Sequence, residues 1–498
     1  MKLILEAIEK FRTEGLPALI LLAEQEKLLG NLPKDRLSLQ NQVQGIVKNQ
    51  AAKVLNDSME LLTQGDFILG VFQVPQKKGL NHEDRIRLAA SRIGDWQKSR
   101  SLSRVAVAVD QLNVKEFRAL CEGFLISAYD FRKYKSDKKP DQNGNLEVVL
   151  LSSVENMKRN ALVLAEAETI CHQINICRDL VNEPGSALVP QDFAEFARKA
   201  AKEFGLTLRI RDEKKLQTDG YMGLWMVGKG SDHPPRMVTL GYEGGKVRGP
   251  LKRDTSAPHL VFVGKGVTFD TGGISIKPSQ GMWEMKSDMA GAATVLSALC
   301  AIATLKLPIK VSAVLCLAEN RPGNAAVLPG DIFTAKNGKT IMVDNTDAEG
   351  RLILTDGLAE AGALGATHII DLATLTGAIV RAIGPSIAGL FSNDAAFTQT
   401  LFKAAESAGE KFCAMPLEEE YREYLDDPVA DMKNVGKQEA GAITAALFLQ
   451  EFVPAKTAWS HWDIAGTAFT TSSWKYYRPG GTGWGVKSLV EVARELAG

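Results

Sequence analysis

Apolar residues occur along this chain in short runs separated by longer stretches in which they return at helical spacing. In the first third, Ala18 to Leu22, Phe67 to Phe72, Val105 to Val109 and Glu147 to Leu151 read as strands. The periods between them predict helices over Asn41 to Leu55, His82 to Trp96 and Val114 to Tyr134. From Val154 to Val181 the residues Leu162, Leu164, Ala165, Ile170 and Ile174 recur near helical spacing, which predicts one long helix. It stops at Asn182-Glu183-Pro184-Gly185, where proline and glycine cannot continue it.

Beyond that point strands and helices alternate again. Strands are expected at Leu206 to Ile210, Met237 to Tyr242, His259 to Val263, Ile309 to Leu317, His368 to Leu372 and Ala458 to Ile464. Helices are expected at Pro190 to Phe204, Ala290 to Leu305, Leu352 to Ala363, Ala395 to Ala408, Ala440 to Phe452 and Gly485 to Leu496. The chain is therefore read as α/β: a smaller N-terminal α/β domain at 1–153, a linking helix at 154–181, and a larger C-terminal α/β domain at 182–498. The larger domain is expected to hold a mixed, mostly parallel sheet covered by helices, with its ligand site beyond the C-terminal ends of the strands.

Composition narrows the function classes. Lys and Arg number 59 and Asp and Glu number 59, so no overall field favours nucleic acid or an anionic membrane. The basic run Lys133 to Asn145 reads as a solvated connection. The six cysteines show no CxxC pair and sit mostly in apolar runs, as buried thiols of a reducing compartment do. The apolar runs fall short of the roughly 20 residues of a membrane helix, and charged residues interrupt the first eleven positions, unlike a signal peptide. A cytoplasmic protein without a membrane partner is expected.

The candidate chemistry gathers after the strand at His259. Gly264-Lys-Gly-Val-Thr-Phe-Asp270-Thr-Gly-Gly273 follows it directly, in a spacing that fits neither dinucleotide nor P-loop glycine patterns. Asp288 precedes a small-residue helix, where it could simply cap the helix. In Asn345-Thr-Asp347-Ala-Glu349-Gly-Arg351-Leu352, two carboxylates one residue apart on extended backbone would point to one side. Gly350 would then turn the chain sharply into a helix. Asp270, Asp288, Asp347 and Glu349 in one cleft would repel unless cations neutralise them, and two divalent metals match their charge. No HExxH spacing occurs, so a single-zinc protease of that type is not supported.

Together Val263–Gly273, Ser275–Pro278, Met285–Gly291 and the octapeptide Asn345–Leu352 resemble the leucyl aminopeptidase family, the dizinc cytosol aminopeptidases. Asp179–Pro184, Asp371–Gly377, Ile443–Leu449 and Asp463–Ala468 extend the likeness over most of the second domain. The resemblance implies that Asp270 and Glu349 bridge two metal ions, that Asp347 completes one site, and that Lys265 with Asp288 completes the other. Lys265 would then have to be neutral. It implies zinc or manganese at each position, Lys277 as the stabiliser of the oxyanion, and Arg351 as the holder of a bicarbonate that shuttles a proton. Asn345, Thr374 and Leu375 would orient the substrate, with Met285 lining its side-chain pocket. The implied reaction is removal of the N-terminal residue, leucine preferred, from peptides with a free amine, by a hydroxide bridging the two metals. A homohexamer is also implied. Arg321, where methionine is usual, and Gln438-Glu439, in a stretch usually richer in glycine, depart from the pattern and bear on side-chain preference and assembly. Two other functions fit the scaffold: a DNA-binding regulator using the Lys133–Asn145 run, and a dinuclear phosphoesterase.

Overall fold

The computed structural model describes residues 1–25, 27–52, 59–64, 66–136, 146–244 and 258–498. The end of the helix expected to reach Leu55 and most of the Lys133–Asn145 run, from 137 to 145, lie outside the described residues. The chain divides into two compact units, Met1–His172 with Ser472–Arg478, and Gln173–Thr471 with Pro479–Gly498. The division falls within a helix, Met157–Asn182, and one short stretch near the C-terminus joins the first unit.

The first unit is a sheet of β1 Lys2–Ala7, β2 Ala18–Glu24, β3 Lys27–Leu28, β4 Met59–Gln64, β5 Phe67–Gln73, β6 Arg104–Ala108 and β7 Glu147–Ser152. Its order is β1-β7-β6-β2-β5-β4, with β3 beside β2. All pairs along the order are parallel except β4 with β5. Central β2 is apolar from Ala18 to Ala23 because both faces are covered. Ala18, Ile20 and Leu22 pack with the helices His82–Ser99 and Val114–Ser127, while Leu19, Leu21 and Ala23 pack with Val43 and Val47 of Gln40–Ala52. The helix from Val114 ends at Ser127, not at Tyr134, since its buried stripe Phe117, Leu120, Cys121 and Phe124 runs out there.

The second unit adds β8 Thr207–Arg211, β9 Arg236–Tyr242, β10 His259–Asp270, β11 Lys310–Asn320, β12 Ile332–Thr334, β13 Thr340–Met342, β14 His368–Ala373, β15 Ala388–Ser392, β16 Phe412–Ala414, β17 Met432–Lys433 and β18 Ala458–Asp463. The main sheet runs β16-β15-β18-β14-β10-β11-β9-β8. Its centre, β18-β14-β10-β11, is parallel, and antiparallel pairs flank it, so the sheet is mixed as expected. Helix Glu349–Ala363 packs on the face carrying Val261 and Val263. Helix Ala290–Leu305 packs on the other, so close that a Cβ at Gly264 would lie 2.5 Å from Ala292 Cα. Met282–Leu305 is, among the described residues, the one helical stretch long and apolar enough to cross a membrane, and 89% of its most apolar window is buried inside the protein.

Two features of β10 differ from the expectation of a short strand followed by a glycine loop. The strand continues through Asp270, so Lys265 lies within regular sheet. Between Val267 and Asp270 the register shifts, with Val267 opposite Ala318 and Asp270 opposite Asn320. The strand spends one residue more than its partner there, which is a β-bulge. Side chains five positions apart on a regular strand point to opposite faces, and the extra residue brings Asp270 to the face of Lys265.

Glu360 anchors the helix Glu349–Ala363 to the sheet edge. Its buried carboxylate accepts from Tyr221 Oη at 2.6 Å, Thr239 Oγ1 at 2.9 Å and Arg211 at 3.1 Å, and Arg209 also reaches it. Burial works against its charge, but these donors outweigh it and hold the carboxyl below its ordinary 4.5. A carboxyl depressed on folding adds stability above its unfolded value and loses it as pH falls through the folded one. Glu360→Gln is therefore expected to cost about 2–3 kcal/mol at neutral pH and to flatten the loss of stability in acid, as read by thermal melts at neutral and acid pH.

Candidate dimetal active site

Four segments meet at the C-terminal end of β10. The strand supplies Lys265 and Asp270, and the loop after it supplies Lys277. The 3-10 turn Met282–Ser287 leads to Asp288, and the turn into helix Glu349–Ala363 supplies Asp347 and Glu349. One ligand oxygen from each of Asp270, Asp347 and Glu349 lies within 4.8 Å of the others. Asp288 joins them through Lys265, whose Nζ is 2.8 Å from Asp288 Oδ2, 2.9 Å from Glu349 Oε1 and 3.0 Å from the Thr374 carbonyl oxygen. Lys277 Nζ is 2.8 Å from Asp270 Oδ2 and also pairs with Asp347 Oδ1. The structure thus brings together six of the seven residues expected to bind metal or catalyse, whereas Arg351 is buried beside them and donates to the Asn434 carbonyl at 2.8 Å.

Local geometry corrects three readings of the sequence. Asp347 and Glu349 do not share an extended strand, because Ala348 turns (φ −108°, ψ 42°) and Glu349 is the first residue of the helix. Gly350 lies inside that helix and makes no sharp turn. It is glycine because a Cβ there would fall 2.7 Å from Lys265 Cε and 2.8 Å from its Nζ. Asp288 does not cap the helix Ala290–Leu305: its N-cap is Met289, and Asp288 Oδ1 accepts from Thr374 Oγ1 at 2.7 Å. Gly272 does need its freedom, with φ +88° and a would-be Cβ 2.9 Å from Asp347 Oδ1.

The electrostatics follow from burial. Burial raises the carboxyls of Asp270, Asp288 and Asp347, and neighbouring carboxylates raise them further while the lysines pull them down. Burial likewise opposes charge on Lys265 and Lys277, but the surrounding carboxylates prevail and hold both ammoniums firmly protonated. Four carboxylates against two ammoniums leave negative charge in excess. Asp288 Oδ2, Asp347 Oδ1 and Glu349 Oε1 are buried with no hydrogen bond of good geometry, and the lysines are the cations they pair with among the described residues. Hard oxygen donors, clustered and under-satisfied, fit divalent cations. Arg351 keeps its Nε unpartnered, and burial draws its guanidinium down to about 10.

The sequence model of the cytosol aminopeptidase family, catalytic domain, matches residues 175–490. A probable cytosol aminopeptidase of Solibacter usitatus is 44% identical over 404 residues, covering 80% of this chain and 81% of that protein. One of Roseiflexus castenholzii is 43% identical over 410 residues, covering 82% of each. This chain belongs to the cytosol aminopeptidase family. Among solved structures, the bottromycin maturation enzyme BotP in complex with Mn is similar with a TM-score of 0.82 and 31% identity, over 97% of this chain and 100% of that one. For a member of this family the buried acidic cluster is where divalent metals are implied.

The residues expected to orient substrate lie around the cluster. Met285 is half-buried in the turn before Asp288. Asn345 Oδ1 accepts from Asp347 N at 2.8 Å and so shapes the ligand turn. Leu375 N donates to Asp463 Oδ1 at 3.2 Å, and its half-buried side chain packs against the core under the sheet. Two residues had no local signal in the sequence. Asn434 donates to the Asn345 carbonyl at 2.8 Å and accepts from Arg351, and Asn320 donates to Asp270 Oδ1 at 2.8 Å.

Gly350→Ala is expected to displace the Lys265 side chain and lower both metal uptake and activity at least tenfold, with secondary structure retained by circular dichroism. Metal analysis of the purified variant beside the wild type checks it.

Proposed function

We propose that this family member is a cytoplasmic aminopeptidase that binds two divalent ions, zinc or manganese, and releases N-terminal residues, leucine preferred, from peptides with a free amine. The observation that carries this reading is the convergence of Asp270, Asp347 and Glu349 oxygens within 4.8 Å, with Lys265 and Asp288 against one side and Lys277 against the other. Asp270 and Glu349 would bridge the pair, Asp347 would complete one position, and Asp288 and Lys265 the other. When bound, two such ions acidify a shared water so that hydroxide is available near neutral pH, and they polarise the scissile carbonyl.

The chain's own groups do the rest. Lys265 joins the ligands as a neutral amine, giving its proton to solvent in exchange for a dication among the same carboxylates. Lys277, the more exposed of the two lysines, is released from Asp270 and Asp347 and becomes free to face the oxyanion. Arg351, with an unpartnered Nε, holds bicarbonate as the proton carrier. Thr374 and Asn345 orient the peptide, and Met285 with the Leu375 side chain contacts the leucine side chain, which suits an apolar residue. Six such chains assemble as a homohexamer.

The direct test is metal content together with hydrolysis of leucine p-nitroanilide before and after chelation. About two equivalents per chain, activity lost on stripping and restored by zinc or manganese, and no cleavage of the N-acetylated substrate are expected. Full activity on a blocked amine, or on a phosphate ester in place of the peptide, would refute the assignment. Lys277→Ala should lower kcat about a hundredfold or more with metal content unchanged, measured by steady-state kinetics on the same substrate.

A further inference from the structure

Asn320 is the last residue of β11, buried, and paired with Asp270 across the bulge. Its side-chain nitrogen is 2.8 Å from Asp270 Oδ1 and 3.0 Å from the Thr346 carbonyl oxygen. An amide NH2 has two hydrogens, and here they go to two different ligand-bearing segments. The backbone carbonyl of Asn320 accepts from Thr271 N at 3.0 Å and from Thr271 Oγ1 at 2.8 Å. Gly273 passes so near that a Cβ on it would lie 2.7 Å from Asn320 Oδ1. One residue therefore holds the Asp270 carboxylate, the start of the Lys277 loop, and the turn that carries Asp347 and Glu349.

We propose that Asn320 is a positioning residue that sets the spacing of the carboxylates offered to the metal pair, and through it the affinity for the metals. The inference rests on the dimetal reading above. Asp270 Oδ1 accepts from the Gly272 N–H at 2.8 Å as well as from Asn320, which turns Oδ2 toward the site. Without Asn320, Oδ1 would keep the Gly272 N–H, on a turn at positive φ, while the Lys277 contact on Oδ2 lies on the side offered to the metals. The reciprocal bonds of Ser275 and Thr346, 2.8 Å from Ser275 N to Thr346 Oγ1 and 3.2 Å from Thr346 N to Ser275 Oγ, tie the two loops together. They do not touch Asp270, so they cannot replace the amide. Leucine has the shape of asparagine and no donor, serine has one hydrogen, and glutamine has both but is a methylene too long. Loss of an orienting partner of a metal ligand costs about ten- to a hundredfold in affinity.

The test uses full-length wild type, Asn320→Leu and Asn320→Ser, stripped of metal. Zn²⁺ is titrated calorimetrically, the metal-free melting temperature is recorded, and the spectrum of the Mn²⁺-loaded protein is taken by electron paramagnetic resonance, which reports coupling between the two ions. The wild type is expected to take about two equivalents. Both variants should bind Zn²⁺ ten- to a hundredfold more weakly and show altered Mn–Mn coupling, with at least one melting near the wild type before metal is added. Wild-type affinity and an unchanged spectrum in a folded variant would overturn the proposal. So would unfolding of both variants without metal, which would make Asn320 a stability residue. A wild type that takes up no metal is a different result: it removes the dimetal reading itself, whatever the variants do.

Discussion

Surplus negative charge, drawn out of water at the end of a parallel sheet, is the constraint on which the rest of this structure depends. Four carboxylates converge where only two lysines answer them, and carboxylates at such spacing are tolerated only against compensating cations. Lys265 donates to the Thr374 carbonyl and ion-pairs with Asp288 and Glu349. Lys277 bridges Asp270 and Asp347 in the same way. Each ammonium thus sits where a denser positive charge would be held still better, because Asp288 Oδ2, Glu349 Oε1 and Asp347 Oδ1, oxygens that the lysines pair with, lack well-aligned donors.

The scaffold is organised to make that convergence reachable. A regular β10 could present Lys265 or Asp270 to the site face, but not both, and the bulge before Asp270 changes the parity. The helix that begins at Glu349 must approach Lys265 without a side chain in between, and Gly350 gives it the room. On the far end of the same helix, Glu360 is locked to Arg211, Tyr221 and Thr239, so the helix cannot drift away from the sheet. The site therefore stands on regular, buried elements, the arrangement that holds reacting groups most accurately.

Arg351 illustrates how position in the fold changes what a charged residue means. In the octapeptide it follows two acids, and the family resemblance makes it the holder of a bicarbonate. In the structure it turns away from them to the Asn434 carbonyl and keeps one nitrogen unpaired in a buried setting, which suits a small anion better than a salt bridge.

What the sequence determined by itself was local and chemical. Runs such as Leu19–Leu22 and Ala313–Ala318 are apolar at every position because both faces of the strand are covered, and this is enough to predict an α/β sheet protein. The helices Pro190–Phe204 and Ala395–Ala408 were legible to the residue, since proline, glycine and aspartate mark their ends. The ligand types, and their grouping near glycines after a strand, also stand in the sequence. The tertiary structure decided the rest. Parity along β10 depends on a register slip that leaves no compositional trace, and the need for glycine at position 350 comes from a lysine 85 positions away. The edge strand Lys2–Ala7 escaped notice because one side of it is open and its pattern is broken by charge. Asn320 and Asn434 act through bonds to segments distant in sequence, and hydrogen-bond partners, unlike hydrophobic periodicity, are chosen only when the chain has already folded.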